Sequence, residues 1–168
     1  MSDKTLTSIT LYGKIQADKA SWAFWYESAK NIVQSLGYEP NYFGVKSNTM
    51  NSGKIMTLRR SEKKLLRNIE AGDDIKWIEL YSLPDDYRQA SFDYNVFLIK
   101  DIAQVTLVTN KTDFINADEK MLLSLLKQHI AFENGEIYEI SRDECPLLYA
   151  LKANSISFFK TLNVIKKL

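Results

Sequence analysis

Carboxylates are the residues in this 168-residue sequence whose spacing best suits chemistry. Asp85 and Asp86 stand in the segment PDDYRQAS, a predicted turn between two strands, and Asp93 follows on the polar face of the next strand. Together the three side chains would suit a Mg²⁺ site or a general acid/base pair, because both use carboxylate oxygens. The same segment is also ordinary turn chemistry with proline first, so a purely structural interpretation stays open.

The sequence contains few of the residues that other kinds of catalysis use, since the chain has one histidine, one cysteine and six glycines. His129 continues the apolar stripe of a predicted helix and Cys145 precedes a proline, so a Cys–His nucleophile pair is not favoured over a core histidine. An ordinary zinc site needs more nitrogen and sulfur ligands than these two. Gly53 and Lys54 lack the rest of a phosphate-binding loop. The sequence therefore predicts no catalytic residue, no cofactor and no enzyme.

Charge is divided along the chain, although the net charge is only +1. From residue 46 to 67 seven bases accompany one acid, and from 70 to 101 eight acids accompany three bases. The basic stretch is typical of a solvated helix face, and its alternative interpretation is an electrostatic footprint for nucleic acid. That alternative, a nucleic-acid-binding adaptor using helix 59–67, rests on Arg59, Arg60, Lys63, Lys64 and Arg67.

The acidic and aromatic stretch suggests recognition of a protein partner. Acidic side chains steer a basic partner, and tyrosines bury contact area at a low cost in entropy. We expect a sheet with one solvated face that displays these residues. The predicted contact residues are Asp85, Asp86 and Asp93 for charge matching, with Tyr87 and Tyr94 as anchors.

Three consecutive strands are predicted at 75–83, 92–100 and 104–109, because β-branched and aromatic residues fill each segment and turn-formers separate them. The middle segment begins with alternation at Phe92, Tyr94 and Val96 and then becomes apolar on both sides, which is typical of a central strand. The segment 8–15 predicts an N-terminal strand, in which Gly13 marks a bulge or a close approach.

Helices are predicted around these strands. The apolar spacing after Asp18 predicts the longest helix, which ends near Gly37, and a shorter one covers 61–71. Asn116 and Glu119 predict the start of a third helix. After a late strand at 136–141, Asp143 and Pro146 predict a further helix start. A final helix is predicted where four apolar residues recur at helical spacing, namely Ile156, Phe159, Leu162 and Ile165.

The fold class that follows is α+β, in one domain covering residues 1–168. Its central antiparallel sheet combines the three-strand meander with the N-terminal and late strands, and about four helices cover it. The single cysteine allows no intramolecular disulfide, the first residues contain no apolar signal segment, and no apolar run approaches the length of a membrane span. We therefore expect a cytoplasmic protein without membrane contact.

Two stretches carry a family resemblance: SWAFWYESAKNIVQSLGYEPNYFGV and the later GEIYEISRDECPLLYALKAN. In these stretches the chain resembles the cytoplasmic immunity proteins of bacterial contact-dependent and polymorphic toxin systems. The resemblance implies a stoichiometric inhibitor that binds and blocks a cognate toxin domain, with no catalytic residues or cofactor. The alternatives are a Mg²⁺-dependent enzyme that uses Asp85, Asp86 and Asp93 on a phosphorylated or nucleic-acid substrate, and the nucleic-acid adaptor.

Overall fold

One antiparallel sheet of eight strands organises the computed structural model, which describes residues 4–51, 53–86, 93–152 and 156–168. Short 3₁₀ turns lie at Arg142–Glu144 and Ile156–Phe158. In chain order the elements are β1 (Thr5–Lys14), α1 (Lys19–Ser35), β2 (Tyr42–Ser47), β3 (Met56–Thr57), α2 (Leu58–Glu70), β4 (Ile75–Ser82), β5 (Val96–Lys100), β6 (Gln104–Asn110), α3 (Lys111–Ile115), α4 (Glu119–Lys127), β7 (Ala131–Ser141), α5 (Pro146–Ala150) and β8 (Asn163–Lys167).

The sheet confirms the predicted α+β class. Its order is β3-β2-β4-β5-β6-β1-β7-β8, and every neighbouring pair is antiparallel. The meander of β4, β5 and β6 is as predicted, and β5 is buried along its whole length, as expected of a central strand. The register shifts at Gly13 in the pairing of β1 with β7, where a Cβ would lie 2.0 Å from the carbonyl oxygen of Ala131. This confirms the predicted bulge and close approach.

One side of the sheet, here called the helical face, packs against α1, α2 and α4. The helix α1 begins where the Asp18 carboxylate accepts a hydrogen bond from the backbone N–H of Ser21 at 2.9 Å. It ends before Gly37, whose φ of 91° suits a residue without a side chain. Trp22 and Trp25 are completely buried between α1 and the strands. Burial of this apolar stripe fixes the helix on the sheet.

The opposite face is also covered, so the expectation of a solvated sheet face is wrong. The clusters on this side include Tyr81, Phe97 and Val108, all buried. Farther along the sheet α5 lies over β1 and β7, and two tyrosine hydroxyls hold it there. Tyr12 donates to the carbonyl of Ala150 at 2.7 Å, and Tyr138 donates to that of Pro146 at 3.2 Å.

Three predicted helices differ from the structure. The helix α5 has Cys145 at its cap position, whereas Asp143, its predicted cap, lies in the 3₁₀ turn before it. The segment predicted as a final helix forms a 3₁₀ turn and then β8, which pairs with β7 at the edge of the sheet. The third helix starts later than predicted: its cap is Asp118, whose carboxylate accepts from the N–H of Met121 at 3.1 Å. Asn116 instead ends the short helix α3.

Strand directions define the two ends of the sheet. At the Ser82 end β4, β6 and β7 finish and β1, β5 and β8 begin; the Lys100 end lies opposite. None of the helices within the described residues combines the length and the apolar character that crossing a membrane requires.

Candidate functional site

The predicted acidic site is only partly assembled. Asp85 and Asp86 are exposed in a turn that follows β4 at the Ser82 end. Asp93 is half-buried in a bend three residues before β5, so its predicted place on the polar face of a strand is wrong. Tyr87 lies outside the described residues. Among those residues no three histidine, cysteine, aspartate or glutamate side chains form a group that could hold a metal ion, and the three aspartates therefore make no such site.

Tyr94 is a core residue, and the expectation that it stands on a solvated surface is wrong. Its side chain is 4% exposed, and its ring centroid lies 5.5 Å from that of Phe97. The guanidinium of Arg142 lies over the ring at 5.5 Å and donates to the Tyr94 carbonyl at 2.7 Å. Burial raises the pKa of the Tyr94 hydroxyl far above its usual range. A ring enclosed in this way cannot anchor a partner without local unfolding.

Exposed apolar side chains are concentrated elsewhere, in α5, the second 3₁₀ turn and β8. Of the eleven large apolar side chains that are exposed within the described residues, six belong to this region. Sequence reasoning missed this group because it assigned the region to a helix with an apolar buried side. We call it the α5–β8 surface, and its members are Leu148, Leu151, Ile156, Phe158, Val164 and Ile165.

The α5–β8 surface is held by defined contacts. The ring of Phe158 lies 5.2 Å from that of Phe159, which is buried against Tyr149 of α5. Val164 pairs with Tyr138 across β7 and β8, and the register shift that follows leaves Ile165 as an extra residue in β8. The strand β8 lies at the edge of the sheet, with its backbone open to further pairing on one side.

The Glu144 carboxylate ties this surface to the end of β7. It accepts hydrogen bonds from the backbone N–H groups of Lys160 and Thr161 at 2.7 and 2.6 Å, and from the Thr161 hydroxyl. These bonds lower the pKa of Glu144, with the Thr161 side chain as the largest cause. The start of β8 pairs with Glu139 near the end of β7, so it lies at the Ser82 end of the sheet, with four strands between β8 and β4, which the acidic turn follows.

The basic helix forms as predicted, with one correction. Leu65 and Ile69 of α2 are buried, whereas Leu66, predicted on the same stripe, is 38% exposed. The five cations of the run, at positions 59, 60, 63, 64 and 67, are all exposed. They form a positively charged helix face.

A cavity of about 700 Å³ opens at the Lys100 end on the helical face. Its described lining includes Lys100, His129, Phe24 and Ser21. Lys100 continues the alternation of β5 onto the helical face, is 1% exposed, and holds its ammonium 4.7 Å from the centre of the Trp22 ring. The predicted core position of His129 is confirmed, since it is 5% exposed and packs against Phe24 and Trp25. Cys145 lies on the other side of the sheet near Tyr94, so no Cys–His pair forms.

Two of the titratable groups that line this cavity, Lys100 and His129, are shifted toward their neutral forms. Burial lowers the pKa of Lys100 to about 8, while the Asp18 carboxylate opposes that shift. Burial, and then the positive charge of Lys100, lowers the pKa of His129 to about 4. At neutral pH the histidine is therefore uncharged and Lys100 is mostly an ammonium. The signal for Lys100 was in the sequence, as its position follows Val96 and Leu98 at intervals of two.

Comparison of this chain with family models, with curated proteins and with solved structures finds no match. The fold and these surfaces therefore define a class, an α+β protein built on an eight-stranded antiparallel sheet, and no family.

Proposed function

We propose that this protein is a stoichiometric inhibitor that binds a partner protein through the α5–β8 surface, as an immunity protein binds its cognate toxin domain. The concentration of exposed apolar side chains in that surface carries the proposal. Single exposed apolar residues are normal on a protein, but a group of them commonly marks a site of association. The sequence resemblance to immunity proteins supplies the class of partner.

The chemistry of the surface favours a folded protein domain with a complementary apolar patch. Phe158 and Ile165, at 58% and 53% exposure, have large side chains that a partner can bury. Asp85 and Asp86 lie at the same end of the sheet but are separated from β8 by four strands, so they attract basic residues on a part of the partner away from that patch. In this arrangement the apolar residues supply affinity and the acidic turn supplies orientation and speed of encounter.

Inhibition would follow from occlusion, because a partner whose active surface is covered cannot reach its substrate. No group on this chain needs to react for that outcome. The expected complex contains one copy of each protein. An equimolar amount of this protein should therefore abolish the partner's activity.

The test combines capture with matched surface variants. The immobilised wild-type protein is exposed to native lysate of its source, retained protein is identified by mass spectrometry, and that protein is then purified for calorimetry and for an activity assay. We expect Phe158→Glu and Ile165→Glu each to weaken binding about thirtyfold, as the loss of about 2 kcal/mol at an anchor implies. Ile102→Glu is the control, because Ile102 is 70% exposed in the turn at the Lys100 end.

Two results would contradict the proposal. One is a partner whose affinity responds equally to Ile102→Glu and Phe158→Glu. The other is a column that retains only nucleic acid which salt removes, since that outcome would favour the basic face of α2 and the adaptor function.

A further inference from the structure

We propose that the cavity at the Lys100 end is a binding site for a small organic carboxylate with an apolar body. This site is separate from the α5–β8 surface, and the inference does not depend on the proposed inhibitor function. It rests on the unmet polar groups of the cavity, on the charge of its lining and on its size.

Lys100 presents a positive charge that the described residues leave unneutralised. It forms no salt bridge or hydrogen bond within the described part of the chain, where its ammonium lies over the Trp22 ring. The carboxylate that acts on it electrostatically, Asp18, is already engaged as the cap of α1 by the backbone N–H and hydroxyl of Ser21. A buried charge without a partner is costly, and an anionic ligand would remove that cost.

His129 adds a second polar group that lacks a hydrogen-bond partner. Its Nε2 atom is buried and has no hydrogen-bond partner among the described residues. Buried polar atoms are normally paired, so this ring has an unused hydrogen-bonding group beside the cavity, which a ligand can reach once the neighbouring side chains shift. Because the ring is neutral at physiological pH, Nε2 can donate to or accept from a ligand according to its tautomer.

The lining selects an anion with an apolar body. Two lysines, Lys14 and Lys100, border the cavity, and its described lining contains no carboxylate. Phe24 is 47% exposed at the cavity, with its ring 4.5 Å from that of His129, and the side chains of Ile15 and Ile130 continue the apolar wall. The volume of about 700 Å³ falls in the range of small-molecule sites.

The experiment titrates the full chain at pH 7 with benzoate, phenylacetate and hexanoate, and separately with their neutral amides. Tryptophan fluorescence follows binding, because Trp22 lies against the Lys100 ammonium. We expect at least one of the three acids to bind saturably and its amide to bind about tenfold more weakly, since hydrogen bonds to a charged group are the stronger ones.

Variants locate the site. Lys100→Met should weaken carboxylate binding about tenfold or more, while Lys63→Met, which removes an exposed lysine from α2, should leave it unchanged. Phe24→Ala provides a second test at a side chain that is 47% exposed, and it should weaken binding several-fold by removing the aromatic wall. The proposal is overturned if none of the three acids binds at millimolar concentration, if Lys100→Met binds them as wild type does, or if inorganic phosphate binds as tightly as the best carboxylate.

Discussion

Lys100 shows that a side chain can lower the stability of a fold and still occupy a defined buried position. The alternation of β5 sends it to the helical face, where its neighbours in the sheet are apolar. Removal of its ammonium from water disfavours the charged form, which is why its pKa falls to about 8. A residue that costs stability at such a position is typical of a functional group rather than of a structural one.

We predict that Lys100→Met is more stable than wild type at pH 7, by about 1–2 kcal/mol once solvent screening is taken into account. Between pH 8 and 10.5 the unfolded wild-type chain binds more protons at this position than the folded chain does. The wild type therefore gains stability with rising pH in that window, and the advantage of the variant should shrink there. Urea denaturation at pH 7 and pH 10 measures both effects, and an advantage that stays constant with pH would contradict the assignment.

Tyr94 and Asp93 show why only some of the predicted contact residues lie on the surface. Turn chemistry in the sequence correctly located Asp85 and Asp86 on the surface. The alternation before Val96 suggested that the strand had already begun, but β5 starts at Val96. Tyr94 is instead enclosed by Arg142, a residue 48 positions later, through contacts that no local pattern contains.

At the scale of elements, the segment before the end of the chain shows tertiary pairing overriding a helical pattern. Its apolar residues recur every three positions, which suits a helix face. Without β8, however, β7 would have an unpaired edge. The β-branched residues Val164 and Ile165 also favour a strand. Pairing with β7 satisfies backbone groups that a helix at that position would leave exposed on β7.

We predict that Glu144→Ala loosens the attachment of the α5–β8 surface without unfolding the sheet. The variant removes the acceptor for two backbone N–H groups, so the amides of Lys160 and Thr161 should exchange faster with solvent, and those of β8 should follow to a smaller degree. Hydrogen exchange measured by mass spectrometry checks this. Asp143→Ala is the control, because Asp143 is the residue next to Glu144 and its carboxylate is exposed in the same turn. Equal exchange in the two variants would show that Glu144 does not hold this segment.

At the scale of the whole molecule, the local pairing of strands was predictable and their long-range order was not. The three strands of the meander follow one another along the chain, so strands that are adjacent in the sequence are also adjacent in the sheet. The N-terminal strand β1 is inserted between β6 and β7, through pairings that join residues 92 to 136 positions apart. Packing of the whole apolar surface decides such an insertion, and it places the cavity at one end of the sheet and the acidic turn at the other.

The division of charge leads to a prediction about association with the proposed partner. With a net charge of +1, the molecule as a whole exerts little attraction on a basic protein, so any steering must come from the local field of the acidic turn. Asp86→Lys should therefore lower the association rate about threefold to tenfold at low salt and flatten its dependence on salt, with a small effect on dissociation. Phe158→Glu should instead act mainly on the dissociation rate, as changes at a buried anchor do.

Glu133→Lys is the matched control for this experiment, because it changes the net charge by the same amount from an exposed position near the Lys100 end. Stopped-flow or surface-based kinetics at several salt concentrations would separate the two effects. If Glu133→Lys slows association as much as Asp86→Lys does, net charge governs the encounter and the acidic turn has no particular role. If only Asp86→Lys does so, the partner approaches the Ser82 end of the sheet, where the α5–β8 surface can bind it.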